Sequence, residues 1–156
     1  RTQVDLNRPD SAIASLEKAI ANGEDSAVVA QYALGRGNTL YRQANGSKDR
    51  GAYQLAVRFV ELANRLRPTP QSNLLLGLSA FSVGQSAATD APATKSCELA
   101  RLAESSLGTA GTSLTEGESV APDAVKQYMA YLGQLQPVVQ SQLQAFCNGG
   151  GGNGAQ

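Results

Sequence analysis

A chain of 156 residues lies within the range of a single domain and can bury one modest core, so one compact unit is expected. Thirteen Lys and Arg balance thirteen Asp and Glu, which argues against nonspecific attraction to nucleic acid or an anionic membrane. Aromatics are only 5%, tryptophan is absent, and β-branched residues never gather into alternating runs, so sheet is disfavoured and an all-α chain is expected.

Residues 1–9 read as an extended polar leader. Asp10 can cap a first helix that runs to about Asn22, where Asn22-Gly23 stops it. Ser26 can cap a second helix over 27–44, bearing Val29, Tyr32, Ala33, Leu40 and Tyr41 with Gly35 and Gly37 in its middle. Two glycines inside a helix cost about 1 kcal/mol each relative to alanine, so a packing reason is expected. Asn45-Gly46-Ser47 reads as a turn and is also a formal glycosylation acceptor. A third helix follows over 49–67, and Pro68 ends it because its ring cannot continue a helix. Thr69-Pro70 reads as cap and first helical residue of a fourth helix through Leu74, Leu75, Leu76, Leu78, Phe81 and Val83. This is the most apolar segment and hence the expected centre.

Gly84 to Thr89 is expected to end the fourth helix, with Asp90 capping and Pro92 opening a fifth over 92–107 that presents Cys97, Ala100, Ala103 and Leu107 on one face. The run GTAGTSLTEGES, 108–119, reads as a polar connection too long for a tight turn. Ser119 and Pro122 open a last helix carrying Val125, Tyr128, Met129, Leu132, Leu135, Val138, Val139, Leu143 and Phe146, which Pro137 should kink or split. Residues 148–156 form a Gly-rich tail expected to be a flexible coil.

An internal echo runs through the first half: Ala12, Leu16 and Ala19 repeat the separations of Ala56, Val60 and Ala63. The segment in which Ala56, Val60, Ala63 and Pro68 precede Leu76-Gly77 resembles the tetratricopeptide repeat, whose period is about 34 residues. Leu34-Gly35 resembles the feature by which a glycine in the family's first helix lets the paired helix come close. The resemblance covers roughly residues 10–107. It implies a TPR-like right-handed α-solenoid of about six to seven antiparallel helices over 10–147, acting as a non-enzymatic scaffold that binds polypeptides along a concave face. From Gly35 to Ala56 is 21 positions, against about a dozen in the usual repeat, so this helix pair is longer or its turn larger. The family's peptide-clamping side chains have no recognisable counterparts here.

Cys97 lies near the start of one expected helix and Cys147 at the end of the last, so antiparallel packing would bring both thiols to one level. A bridge would close a loop of about 50 residues and stabilise by about 2–4 kcal/mol. The alternative is two small buried apolar residues. A disulfide would place the chain outside the reducing cytosol, periplasmic or secreted. The start at Arg1 without an initiator methionine reads as processing, which a removed secretion signal would explain. No run approaches the roughly 20 apolar residues of a membrane span, so no membrane insertion is expected.

Histidine is absent, which removes the commonest general base and metal ligand. Glu98 with Glu104 and Glu116 with Glu118 fall on solvated faces or in the expected loop, and Lys48-Asp49-Arg50 reads as a solvated turn cluster. Gly35-x-Gly37 lacks the third glycine of a phosphate loop, since Leu40 stands there and no strand precedes it. No enzyme, cofactor or metal is therefore expected. Charge is uneven: residues 1–70 hold ten bases against seven acids, a net +3, and the remainder is −3. That polarity leads to a self-assembling, head-to-tail subunit, with Arg65, Arg67 and the tail residues Gly149, Gly150, Gly151, Gly152 and Asn153 as a possible interface. A monomeric adaptor with a partner in its groove is the alternative. A third reading is a small-ligand carrier using the Gly35/Gly37 region and nearby tyrosines.

Overall fold

The structure, a computed structural model, describes residues 9–147. Within them the chain forms six helices and no strand: α1 (Pro9–Ala21), α2 (Ser26–Ser47), α3 (Arg50–Leu66), α4 (Pro70–Thr94), α5 (Cys97–Glu116) and α6 (Pro122–Cys147). The chain is all-α, as its composition implies.

The first three helices begin and end on local chemistry. Helix α1 begins at Pro9, one residue before the expected cap position, Asp10. Gly23, at φ +96°, closes α1 with its N–H on Ile20 O and that of Glu24 on Ala19 O, a left-handed cap that only glycine adopts without strain. Asp25, not Ser26, caps α2, its carboxylate accepting from the Ala27 N–H at 2.9 Å. Asn45-Gly46-Ser47 does not turn. Helix α2 runs through it because Ala44 is buried and the Tyr53 hydroxyl donates to Asn45 Oδ1 at 2.7 Å. The reversal falls on Lys48, in the left-handed region at φ +58°, and Asp49, which caps α3 by accepting from Ala52 N–H. The long Gly35-to-Ala56 separation is thus a long helix with a short turn.

Two boundaries in the second half differ more. Helix α4 continues through Gly84–Thr89 to Thr94, with Ala87, Ala88 and Ala91 buried and Pro92 inside its last turn. Asp90 caps nothing there; it pairs with Arg50 of α3 at 2.6 Å. Ser96 caps α5, accepting from Leu99 N–H at 3.0 Å. The supposed connection 108–119 is mostly helix. Ala110, Ser113 and Leu114 are buried, and the Thr112 and Thr115 hydroxyls donate to the carbonyls of Gly108 and Gly111 four residues back. Pro137 does not split α6, which stays continuous to Cys147.

Helices α2–α3, α4–α5 and α5–α6 run antiparallel, as paired residues show. Gly37 lies against Val60 and Ala44 shares a core with Tyr53 across α2–α3. Gly77 meets Leu114 and Gly84 meets Leu107 across α4–α5. Gly111 meets Leu132, and Cys97 is bonded to Cys147, across α5–α6. Helices α4 and α6 instead run side by side in one direction, joined by Phe81 against Tyr128 and by Gln142 Nε2 donating to Ala88 O at 2.8 Å. Helix α2 also touches α4, so α2, α4 and α6 share one layer. One core gathers Leu16, Leu40, Phe59 and Leu62; a second gathers Phe81, Leu107, Leu132 and Val139.

Candidate functional site

Most residues expected to pack the repeats are interior. Ala12, Leu16, Ala56, Val60, Ala63, Leu76 and Gly77 are buried, Ala19 is half-buried, and Pro68 is exposed just beyond the end of α3. Gly35 is a correction: a Cβ built there meets nothing within 4 Å, so no paired helix approaches it. The close approach is at Gly37, where a Cβ would collide with Val60 Cγ2. Leu34 is half-buried and lies beside open space.

That open space is a groove between α2 and α4. Its main cavity, about 500 Å³, has a wall of Leu34, Gly35 and Tyr41 from α2 and a floor of Leu74, Leu75 and Leu78 from α4, with Val120 closing over it. Val120 arrives there because the α5–α6 connection packs against the start of α4: a Cβ on Gly117 would lie 2.6 Å from the Leu74 backbone nitrogen. Gly35 removes a side chain where one would otherwise fill the groove. A second cavity of about 250 Å³, lined by Ala27, Ala30, Ala63 and Arg67 among others, shares Gln31, Leu34 and Gln71 with the first, so the two adjoin along α2 and are treated together as one channel.

At its far end the groove meets an aromatic cluster. Burial pushes the Tyr41 phenol up, a hydrogen bond with Asn45 opposes this, and the neighbouring Tyr128 and Tyr53 add to the rise. Tyr41 on α2 and Tyr128 on α6 are thus close enough for their phenols to interact. Tyr128 stands edge-on to Phe81 at 5.2 Å between ring centres and to Tyr131 at 5.9 Å.

The leucines of this groove were expected in the core, because an apolar run reveals no facing. Only Leu76 of that cluster is fully buried; Leu74, Leu75 and Leu78 remain half-exposed. The excess itself was the available signal, since LLLGL supplies more leucines than one helix face can bury. Of the residues expected at an interface, only Arg65 and Arg67 fall among the described residues. Arg65 pairs with Glu17 of α1 at 2.8 Å, Arg67 stands at the mouth of the second cavity, and Gly149, Gly150, Gly151, Gly152 and Asn153 lie outside the described residues.

Among the described residues, no three His, Cys, Asp or Glu side chains gather as metal ligands, and no helix is long and apolar enough to cross a membrane. The sulfurs of Cys97 and Cys147 are at bonding distance, 2.14 Å. Compared with known proteins, the chain matches no family model, no curated protein and no solved structure.

Proposed function

We propose that this chain is a non-enzymatic interaction module that receives a segment of another polypeptide in the α2–α4 groove. The observation that carries this reading is the channel itself, where three half-exposed leucines face an unfilled glycine position. Contiguous exposed apolar surface on a soluble domain marks interaction sites, whereas scattered apolar residues do not. In this reading the helices wind as a right-handed α-solenoid resembling the tetratricopeptide family, with α2, α4 and α6 on the concave side. The Cys97–Cys147 bond supports a periplasmic or secreted setting, where such bonds persist.

The test is selection of random dodecapeptides displayed on phage against the disulfide-intact protein, followed by affinity measurement on wild type and Gly35→Leu. Leucine at position 35 meets open space and favours helix, so the fold is retained while the groove is filled. The expected result is at least a tenfold loss of affinity at unchanged melting temperature. Equal binding to both proteins, or no enriched peptide, contradicts the reading.

Self-assembly is the second reading, and one feature favours it. Helix α6 keeps Tyr131 and Val138 exposed at 43% and 47%, two turns apart on one side of the last helix. Light scattering of the untagged protein would return polymers or rings under that reading and a monomer under the first.

A further inference from the structure

Resting on the groove reading, we propose that the bound segment is an extended peptide of about seven residues, apolar in the middle and acidic at both ends. The argument starts from what lines the channel. Arg67 stands at one end, Arg42 at the other, the amides of Gln31, Asn38 and Gln71 lie between, and no carboxylate lines either cavity. Among the described residues neither arginine side chain has an ion-pair or hydrogen-bond partner. Arg50 and Arg65 contrast with them, since their guanidinium groups are engaged by Asp90 and Glu17. The only two cations lining the channel are therefore the uncommitted ones, and an apolar floor lies between them.

Dimensions set the length and conformation of the occupant. From Ala27, at the Arg67 end, to Arg42 is about four turns of α2, or roughly 22 Å at about 1.5 Å per residue. An extended chain spans that distance in about seven residues, at about 3.3 Å each. An extended segment also reaches both arginines with about half the ordered residues that a helix, at about 1.5 Å each, would need. Carboxylates at the two ends of the segment would meet guanidinium groups, which bind them in forked pairs. The intervening apolar side chains, alternating along the strand, would turn to Leu34, Leu74, Leu75 and Leu78. The open position at Gly35 is where the peptide backbone passes closest to α2.

The peptides enriched on the full, disulfide-intact chain provide the test. The strongest should carry Asp or Glu at two positions about six or seven apart, with Leu, Ile, Val or Phe between them. Converting both acids to amides should weaken binding to wild type at least tenfold, and binding should weaken as salt rises. A variant carrying Arg42→Glu and Arg67→Glu should reverse the preference toward peptides flanked by Lys or Arg. Both arginine side chains are exposed, so the melting temperature of that variant should stay near wild type. Equal affinity of acidic and amide peptides for wild type, with binding still lost in Gly35→Leu, overturns the charge pattern and leaves the groove standing. Acidic peptides that bind wild type, the arginine variant and Gly35→Leu alike, or a library with no enrichment, overturn both.

Discussion

The α2–α3 and α4–α5 hairpins are joined by turns of the same length, Lys48-Asp49 and Lys95-Ser96, yet they pack by different means. In the first, large side chains fill the space: Leu40 and Phe59, with Leu16 of α1 and Leu62, form the core, and one glycine, Gly37, admits Val60. In the second, backbones come close. Gly77 and Gly84 of α4 receive Leu114 and Leu107 of α5, each within 3 Å of where a Cβ would stand, and alanines line the rest. A hairpin packed on glycine has little tolerance for added volume, while one packed on large side chains is weakened chiefly by removing volume. Helix α4, held so tightly on its α5 side, leaves Leu75 and Leu78 half-exposed away from that side, while Leu74 lies beside Gly117.

The largest effect expected from breaking this contrast is at Leu107. Leu107→Ala should cost about 2–5 kcal/mol in urea unfolding, as for other buried leucines. Gly84→Ala alone should cost about 1–3 kcal/mol, because its Cβ would sit 2.7 Å from Leu107 Cγ. Combined with Leu107→Ala it should cost nothing further, since the added methyl enters the vacated space. Additive losses would show that Leu107 and Gly84 do not share one contact.

Removing the α5–α6 bridge by Cys97→Ser with Cys147→Ser should cost about 2–4 kcal/mol, given the 50-residue separation it spans. The loss should appear as a lower urea midpoint, and peptide binding at the distant α2–α4 groove should survive at concentrations where the protein is folded.

The smallest effect distinguishes the two glycines of α2. Gly35→Ala should raise stability by up to about 1 kcal/mol, since nothing lies within 4 Å of the new methyl and alanine favours helix. Gly37→Ala should lower it, because Val60 is β-branched and cannot swing aside. A loss of stability in Gly35→Ala would show that the position is packed and not an open groove wall.

Helix type was legible throughout the described chain, while helix ends were legible mainly where a side chain or a left-handed glycine makes them. Gly23 and Thr69-Pro70 mark true boundaries: Gly23 has a positive φ, and the Thr69 hydroxyl accepts from Ser72 N–H while Ser72 Oγ accepts from Thr69 N–H. Gly84, Gly108 and Gly111 suggest breaks that do not occur. A glycine that ends a helix and one that admits a neighbouring helix are the same letter, and only the partner tells them apart. Cys97 and Cys147 were placed together by antiparallel helices, and they meet. The groove is half legible: the sequence suggests a small-ligand pocket at Gly35/Gly37 and nearby tyrosines, of which Gly35 and Tyr41 line the groove and Gly37 does not, while the run holding Leu74, Leu75 and Leu78 reads as core. Val120 and Gln71 join the site through a turn and a helix crossing that no local pattern encodes.

The central claim is that the α2–α4 groove is where a polypeptide binds. Methyl NMR of leucine-labelled protein, titrated with the tightest selected peptide, tests it most directly. The account predicts that the methyls of Leu34, Leu74, Leu75 and Leu78 shift and saturate together, while those of the buried Leu16, Leu62 and Leu107 stay in place. Shifts confined to α6 leucines such as Leu135, with the four groove leucines unmoved, would contradict it.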